Sequence, residues 1–258
     1  MNILFLGDVV ARSGRQVVRD RLPALKNKYS VDFTIVNGEN AAHGKGITLK
    51  IYNEFMRAGV NAVTLGNHAF AKHEIIPMFD QCPNLIRPIN MDHEHGNGYM
   101  IYQIGTKKLA VINVLGMAFM TGYEEEPVPA LERLLDQISA DIIIVDFHAE
   151  TTAEKSIIMQ HFKSRVTAVI GTHTHVQTAD ECIRDGCAYI TDVGMCGPYD
   201  SILGRDTEEI LKRYIAKEQT IYKPSSAKAI LCGCLIEIDE TTNRAAAITR
   251  IQIRPDER

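Results

Sequence analysis

No stretch of this 258-residue chain approaches the ~20 consecutive apolar residues that cross a bilayer. Its longest apolar runs, such as Ile142-Ile143-Ile144-Val145, have the length of buried strands. The opening Asn2-Ile3-Leu4-Phe5-Leu6 is too short for the apolar region of a secretory signal and runs straight into Gly7-Asp8. Among the six cysteines there is no CxxC pair, only Cys232-Gly233-Cys234 inside an apolar run. That argues against a disulfide framework or a thiolate zinc site, and for reduced thiols in a cytoplasmic protein. A basic excess is also missing: 28 Lys+Arg stand against 32 Asp+Glu, a net charge of -4. Long nucleic acid, gripped by phosphate neutralisation, is therefore not an expected partner, and neither is a membrane. Repeats, low-complexity tracts and linkers are absent, and 45% hydrophobic residues exclude intrinsic disorder. The expectation is one domain over residues 1–258, large enough to fold around its own core.

What is present is alternation. Strand patterns fall at 3–6, 33–36, 62–65, 110–114, 142–147, 168–170 and 189–193. Helical spacing falls at 14–27, 49–58, 72–81, 130–138, 153–162 and 207–217. Two hairpins interrupt it. Residues 99–104 and 109–114 flank Gly105-Thr106-Lys107-Lys108, and residues 230–238 and 246–253 flank the polar segment 239–243. The expected class is α/β, with a mixed sheet or two sheets packed face to face under helices.

The informative residues follow the strands. Asp8 ends the first, Glu39-Asn40 the second, Asn67-His68 the third, His148 a later one and His173-Thr174-His175 the next. The steps from Asp8 to Glu39, Glu39 to Asn67 and His148 to His173 are 31, 28 and 25 residues, each about one strand–helix unit, and loops after strand ends converge on one crevice. Singly, each has an ordinary explanation: Asp8 in a turn after Gly7, Asn37-Gly38 as a turn dipeptide, His148 as a buried histidine. Jointly, seven nitrogen and oxygen donors with no cysteine point to a metal site suited to manganese, iron or a similar ion. Asp8, Glu39, Asn40, Asn67, His148, His173 and His175 suffice for two metals if Glu39 bridges them, about 3.5–4 Å apart. The remaining histidines, His43, His73, His93, His95 and His161, read as surface residues.

At these residues the sequence resembles the calcineurin-like metallophosphoesterases, which implies a four-layer α/β/β/α sandwich of two mixed sheets flanked by helices. It departs from that superfamily in having Val10 where a histidine is usual, and Asn37-Gly38-Glu39-Asn40 in place of GDxxD. With those departures, GDVV (7–10), VNGENAAHGKGIT (36–48), GNH (66–68), DFHAE (146–150), GTHTHVQTAD (171–180) and TDVGMCGPYDSILG (191–204) resemble the YmdB-type phosphodiesterases along nearly the whole chain. Ala69-Phe70-Ala71 follows GNH where that family has a Thr-Trp-Asp-like run, and Ala11 stands where it has glycine.

The resemblance implies a dinuclear phosphodiesterase that hydrolyses cyclic nucleotides, 2′,3′-cyclic ones above all, by a metal-bound hydroxide. It implies Asp8, Glu39 and His175 at one metal with Asn40 beside them, Glu39, Asn67, His148 and His173 at the other, iron or manganese as the ions, and His68 as the acid. A phosphomonoesterase or nucleotidase is the enzymatic alternative. A regulatory protein that binds metal and nucleotide with incidental turnover is the alternative from another class. The Gly-rich stretch 194–201 reads either as a loop walling the substrate pocket or as a turn set by Gly197-Pro198. The sequence leaves a homo-oligomer open.

Overall fold

The computed structural model describes residues 1–91 and 94–255, so His93 lies outside the described residues. In chain order the elements are β1 (Asn2–Leu6), β2 (Asp8–Val9), α1 (Ala11–Lys28), β3 (Phe33–Asn37), α2 (Leu49–Ala58) and β4 (Ala62–Thr64). A 3₁₀ helix (His73–Gln81), β5 (Leu85–Ile86), β6 (Tyr99–Ile104), β7 (Lys107–Leu115), α3 (Pro127–Gln137), β8 (Ile142–His148) and α4 (Thr152–Phe162) follow. The chain ends with β9 (Ala168–Thr172), β10 (Cys182–Arg184), β11 (Cys187–Ile190), β12 (Met195–Pro198), α5 (Thr207–Tyr214), β13 (Ala229–Asp239) and β14 (Arg244–Ile253).

They form two mixed sheets. The first runs β2-β12-β13-β1-β3-β4-β5, with β14 on β13, and the second runs β10-β11-β9-β8-β7-β6. Period-two alternation gives each strand two jobs. Ile3, Phe5, Phe33 and Ile35 of the first sheet meet Leu109, Val111, Ile142, Ile144 and Ile170 of the second in the central core. The intervening Leu4, Leu6 and Val36 pack outward under α1 and α2, against Val18, Leu22, Ile51 and Phe55. Val145 and Phe147 do the same on the other side, against Leu131, Ile158 and Phe162. The result is the four-layer α/β/β/α sandwich expected from the sequence. No helix among the described residues is long and apolar enough to cross a membrane.

The structure differs from the sequence reading in several places, and adds the short strands β5 and β10 to it. Where residues 72–81 are expected as an α-helix, His73–Gln81 forms a 3₁₀ helix with Pro77, which lacks an N–H, in its interior. The first hairpin turns on Gly105-Thr106 alone, with Ile104 paired to Lys107, so its loop has two residues instead of four. The stretch after Gly194 is not a loop: Met195–Pro198 is a buried strand, pairing Met195 with Asp8 and Gly197 with Ile230. Finally, Asp8 and His148 lie in strands, at the start of β2 and the end of β8, and not in the loops after them.

One buried ion pair joins the layers. Lys155 occupies the core-facing row of α4 with Ile158, Met159 and Phe162, and its Nζ reaches Asp192 Oδ2 at 2.8 Å with both side chains sealed from solvent. Asp192 also accepts hydrogen bonds from the Thr174 and Gly194 amides. Removing one member of a buried pair strands the other in the interior. Lys155→Met should therefore lower the unfolding free energy by about 3–5 kcal/mol in urea titration. A loss below about 1 kcal/mol, the value of an exposed pair, would refute this role.

Candidate metal centre

Three strands carry the central core's inward face past its apolar stretch. In β8, Asp146 and His148 continue the row of Ile142 and Ile144; in β3, Asn37 continues Phe33 and Ile35; in β9, Thr172 continues Ala168 and Ile170. At the carboxyl ends of these strands the row turns polar while remaining buried. Asn37 Nδ2 donates to Asp146 Oδ2 across the sandwich at 3.0 Å, and Thr172 Oγ1 donates to Asp146 Oδ1 at 2.7 Å. Burial pushes the Asp146 carboxyl up to about 6, against the pull of His148 and of these donors.

This lattice sets the histidine tautomers. Because the Thr172 hydroxyl gives its proton to Asp146, His148 Nδ1 must donate to Thr172 Oγ1, 2.9 Å away. His175 Nδ1 faces the Leu203 carbonyl at 3.1 Å, and His173 Nε2 faces Glu150 Oε2 at 3.0 Å; both partners only accept. Each imidazole thus spends its N–H outward and turns its other nitrogen to one region, the usual second-sphere arrangement of a ligating histidine. His173 and His175 reach it from a strained turn, with φ of 101° and 66°.

Around that region the donor atoms are crowded in a way that protein hydrogen bonds alone do not satisfy. His148 Nε2 lies 3.0 Å from His173 Nδ1, 3.1 Å from Asn67 Oδ1 and 3.3 Å from Glu39 Oε1, three acceptors around a nitrogen with at most one proton. Asn40 Nδ2 lies 2.9 Å from Glu39 Oε1, 3.1 Å from His175 Nε2 and 3.4 Å from Asp8 Oδ1, three partners for two protons. Donors that share one ion at about 2.0–2.2 Å sit roughly 3 Å apart, so the residues present fit a cation. One ligand atom from each of Glu39, His148 and His173 lies within 4.8 Å of the other two, close enough to share one ion. Glu39 belongs to both groups through the same Oε1, while Asp8, 3.7 Å from His175 Nε2, belongs to the Asn40 group.

All eight residues singled out in the sequence come together here. Asp8 Oδ2 accepts from the His173 amide at 3.1 Å, and Glu39 Oε2 accepts from the His68 amide at 3.1 Å. His68 Nδ1 stands 3.2 Å from Glu39 Oε1 and its side chain is partly exposed. Gly66 is required because a Cβ there would run into the His148 imidazole and the Glu39 carboxylate. Ala11 adopts φ 52°, the left-handed region glycine favours, and its amide donates to the Asn40 carbonyl at 3.0 Å. Sequence reasoning missed Asp146, Thr172, Glu150 and the Lys155–Asp192 pair. A lysine at the core-facing spacing 155, 158, 159, 162 was the available signal for the last.

Comparison with known proteins gives the family and the fold. The family model described as YmdB-like protein matches residues 4–251. The chain is 46% identical, over 99% of its length and 98% of the relative's, to the 2′,3′-cyclic-nucleotide 2′-phosphodiesterase of Bacillus subtilis (strain 168). A crystal structure described as a novel phosphatase from Mycoplasma pneumoniae superposes with a TM-score of 0.94 at 37% identity, covering 98% of this chain and 93% of that one. A hypothetical protein from Thermus thermophilus superposes with a TM-score of 0.92 at 36% identity, covering 98% and 99%.

Electrostatics make cation binding a competition with protons. Burial pushes the His148 imidazolium down, but the Glu39 carboxylate, by charge and hydrogen bond, raises it to about 9. Burial and the neighbouring His148 lower His173 to about 3, so it is neutral at pH 7. A ligating imidazole must be neutral, so an ion bound here displaces the His148 proton at any pH below about 9. Apparent affinity for manganese should thus rise with pH, by up to about tenfold per unit, and level off above that value. Calorimetric titration at pH 7 in two buffers of different ionisation enthalpy should register proton release; heats independent of buffer would contradict it.

Proposed function

We propose that this chain, a hydrolytic phosphoesterase that belongs to the YmdB-like protein family, opens 2′,3′-cyclic nucleotides at a centre of two metal ions. The observation that carries the reading is the convergence of lone pairs from three imidazoles with the Glu39 carboxylate between them. Asp8, Glu39 and His175 would hold one ion, joined by Asn40 once its amide turns to offer Oδ1 in place of Nδ2, and Glu39, Asn67, His148 and His173 the other, with Glu39 shared. An all-nitrogen-and-oxygen donor set suits iron or manganese. When bound, such ions lower the pKa of water and neutralise charge on a phosphoryl oxygen.

The chain's own residues do the rest. Asp8 and Glu39 are fixed by the His173 and His68 amides, so the centre needs little rearrangement during turnover. The family's acidic residue near position 71 is replaced here by Ala71, and Glu39 Oε1 stands by His68 Nδ1 instead. With Nδ1 so engaged, His68 offers Nε2 from its partly exposed ring to protonate the departing ribose oxygen. The name of the 46% identical Bacillus relative supports the substrate class.

Two expected outcomes test the proposal. Glu39→Ala should lose both ions and hydrolysis of 2′,3′-cyclic AMP, whereas His175→Ala should weaken mainly one; elemental analysis and a turnover assay decide. Full metal occupancy in Glu39→Ala would refute its bridging role, and undiminished turnover would refute the metal-dependent reading. A panel of 3′,5′-cyclic nucleotides and nucleoside monophosphates would reveal a phosphomonoesterase by its preference for the latter.

For His68→Ala, metals and fold should be retained, with about 10²–10⁴-fold lower kcat on a ribose leaving group. A phenolate leaving group departs without a proton, so the loss there should be much smaller. Equal losses on both substrates would show that His68 is not the general acid.

A further inference from the structure

Beside the metal centre lies a cleft that the proposed chemistry does not use. It has a volume of about 570 Å³ and is lined by Arg12, Arg15, His43, Lys72 and His73, with Glu74 as the carboxylate of its wall. A second cavity of about 510 Å³ shares Arg12 and Arg15 and adds Arg19 and Arg57, against Glu54. Both volumes lie within the ~300–1,000 Å³ of small-ligand sites. The combined walls therefore carry five arginines and lysines against two glutamates, in a chain whose net charge is -4.

The cleft is built on the loops of the centre itself. The amide of Ala11, next to Arg12, donates to the Asn40 carbonyl at 3.0 Å, and Arg15 Nη1 donates to the Ala41 carbonyl at 2.5 Å. On the opposite wall, the Ala71 amide donates to the His68 carbonyl at 3.0 Å, placing Lys72 one residue beyond that turn. Arg15 is already engaged by Glu54 at 3.1 Å. Arg12 and Lys72 have no ion pair or side-chain hydrogen bond among the described residues. Two unpaired cations in a concavity bordering a phosphoester centre have one chemical complement, an anion held close to the reacting phosphate.

We propose that this cleft binds the backbone phosphate preceding the cyclic phosphate, so that the preferred substrate is a short RNA 3′ end closed as a 2′,3′-cyclic phosphate. The proposal rests on the phosphodiesterase reading above. A cyclic mononucleotide carries a single phosphate, which the metal centre takes, and leaves Arg12 and Lys72 without a partner. An oligonucleotide supplies its next phosphate one nucleoside away. The limited extent of the basic wall suits a short single strand, not a long polymer.

The test compares 2′,3′-cyclic AMP with ApApA ending in a 2′,3′-cyclic phosphate, for the manganese-loaded wild type and the Arg12→Ala/Lys72→Ala double variant. The wild type should favour the trinucleotide by about tenfold or more in kcat/KM, the effect of one charged hydrogen bond. The double variant should lose that preference and keep its rate on cyclic AMP. Equal kcat/KM on the two substrates in the wild type, or equal losses on both in the variant, would overturn the proposal.

A binding arm separates this idea from the reading it rests on: anisotropy of 5′-labelled ApApA 3′-phosphate, which requires no turnover. Its affinity should fall with salt, and the log–log slope should shrink by about 0.7 in the double variant, the value for the one phosphate that Arg12 and Lys72 neutralise. Binding that depends on Arg12 and Lys72 without turnover of either cyclic substrate would uphold the cleft and discard the phosphodiesterase reading. No binding, or displacement by pyrophosphate as effective as by unlabelled trinucleotide, would discard the cleft as a nucleotide site.

Discussion

The Asp146 carboxyl, sealed between two sheets, is the interaction on which the rest of the structure depends. A buried carboxyl without partners is costly. Here Asn37 reaches it from the first sheet and Thr172 from the neighbouring strand of its own sheet, at 3.0 and 2.7 Å. Because Thr172 spends its proton on Asp146, His148 Nδ1 must donate to it, and Nε2 is the nitrogen that faces the centre. The same contacts therefore tie the sheets together at their upper edge and set the protonation pattern of the ring at the heart of the site.

The location of the centre follows from strand periodicity. Inward-facing positions are apolar wherever the other sheet covers them, and become polar over the last residues of β3, β8 and β9, where both sheets end. A site formed this way inherits the rigidity of the sandwich below it. Asp8 and Glu39 come by another route, from β2 and from the turn after β3, and backbone amides of the other motifs clamp them. Each acid is held by the segment that carries a histidine of the site, so the motifs position one another.

How much of this was legible in the sequence varied with the range of the interactions. Long apolar runs set by local patterning, such as 142–147 and 33–36, appeared within a residue or so of where they form. The residues of the site were visible because their types are unusual immediately after such runs. β2, β5 and β12 were not visible, because strands of two to four residues exist only through distant partners, as Met195 does through Asp8. The partner of His68 was equally hidden. The local run Ala69-Phe70-Ala71 contains no acid, whereas Glu39, 29 residues earlier in the chain, lies against the ring in the fold.

Net charge was the least transferable of the sequence-level arguments. A total of -4 describes the field far from the molecule, but salt at physiological strength screens charges beyond about 8 Å. What an incoming phosphate meets is the wall within that distance, and α1 concentrates Arg12, Arg15 and Arg19 along one side with no acid in its first turn. Excluding a long polyanion from the total charge remains sound, since a polymer samples many Debye lengths of surface. Extending that exclusion to short anions does not follow, because one or two phosphates meet only this wall.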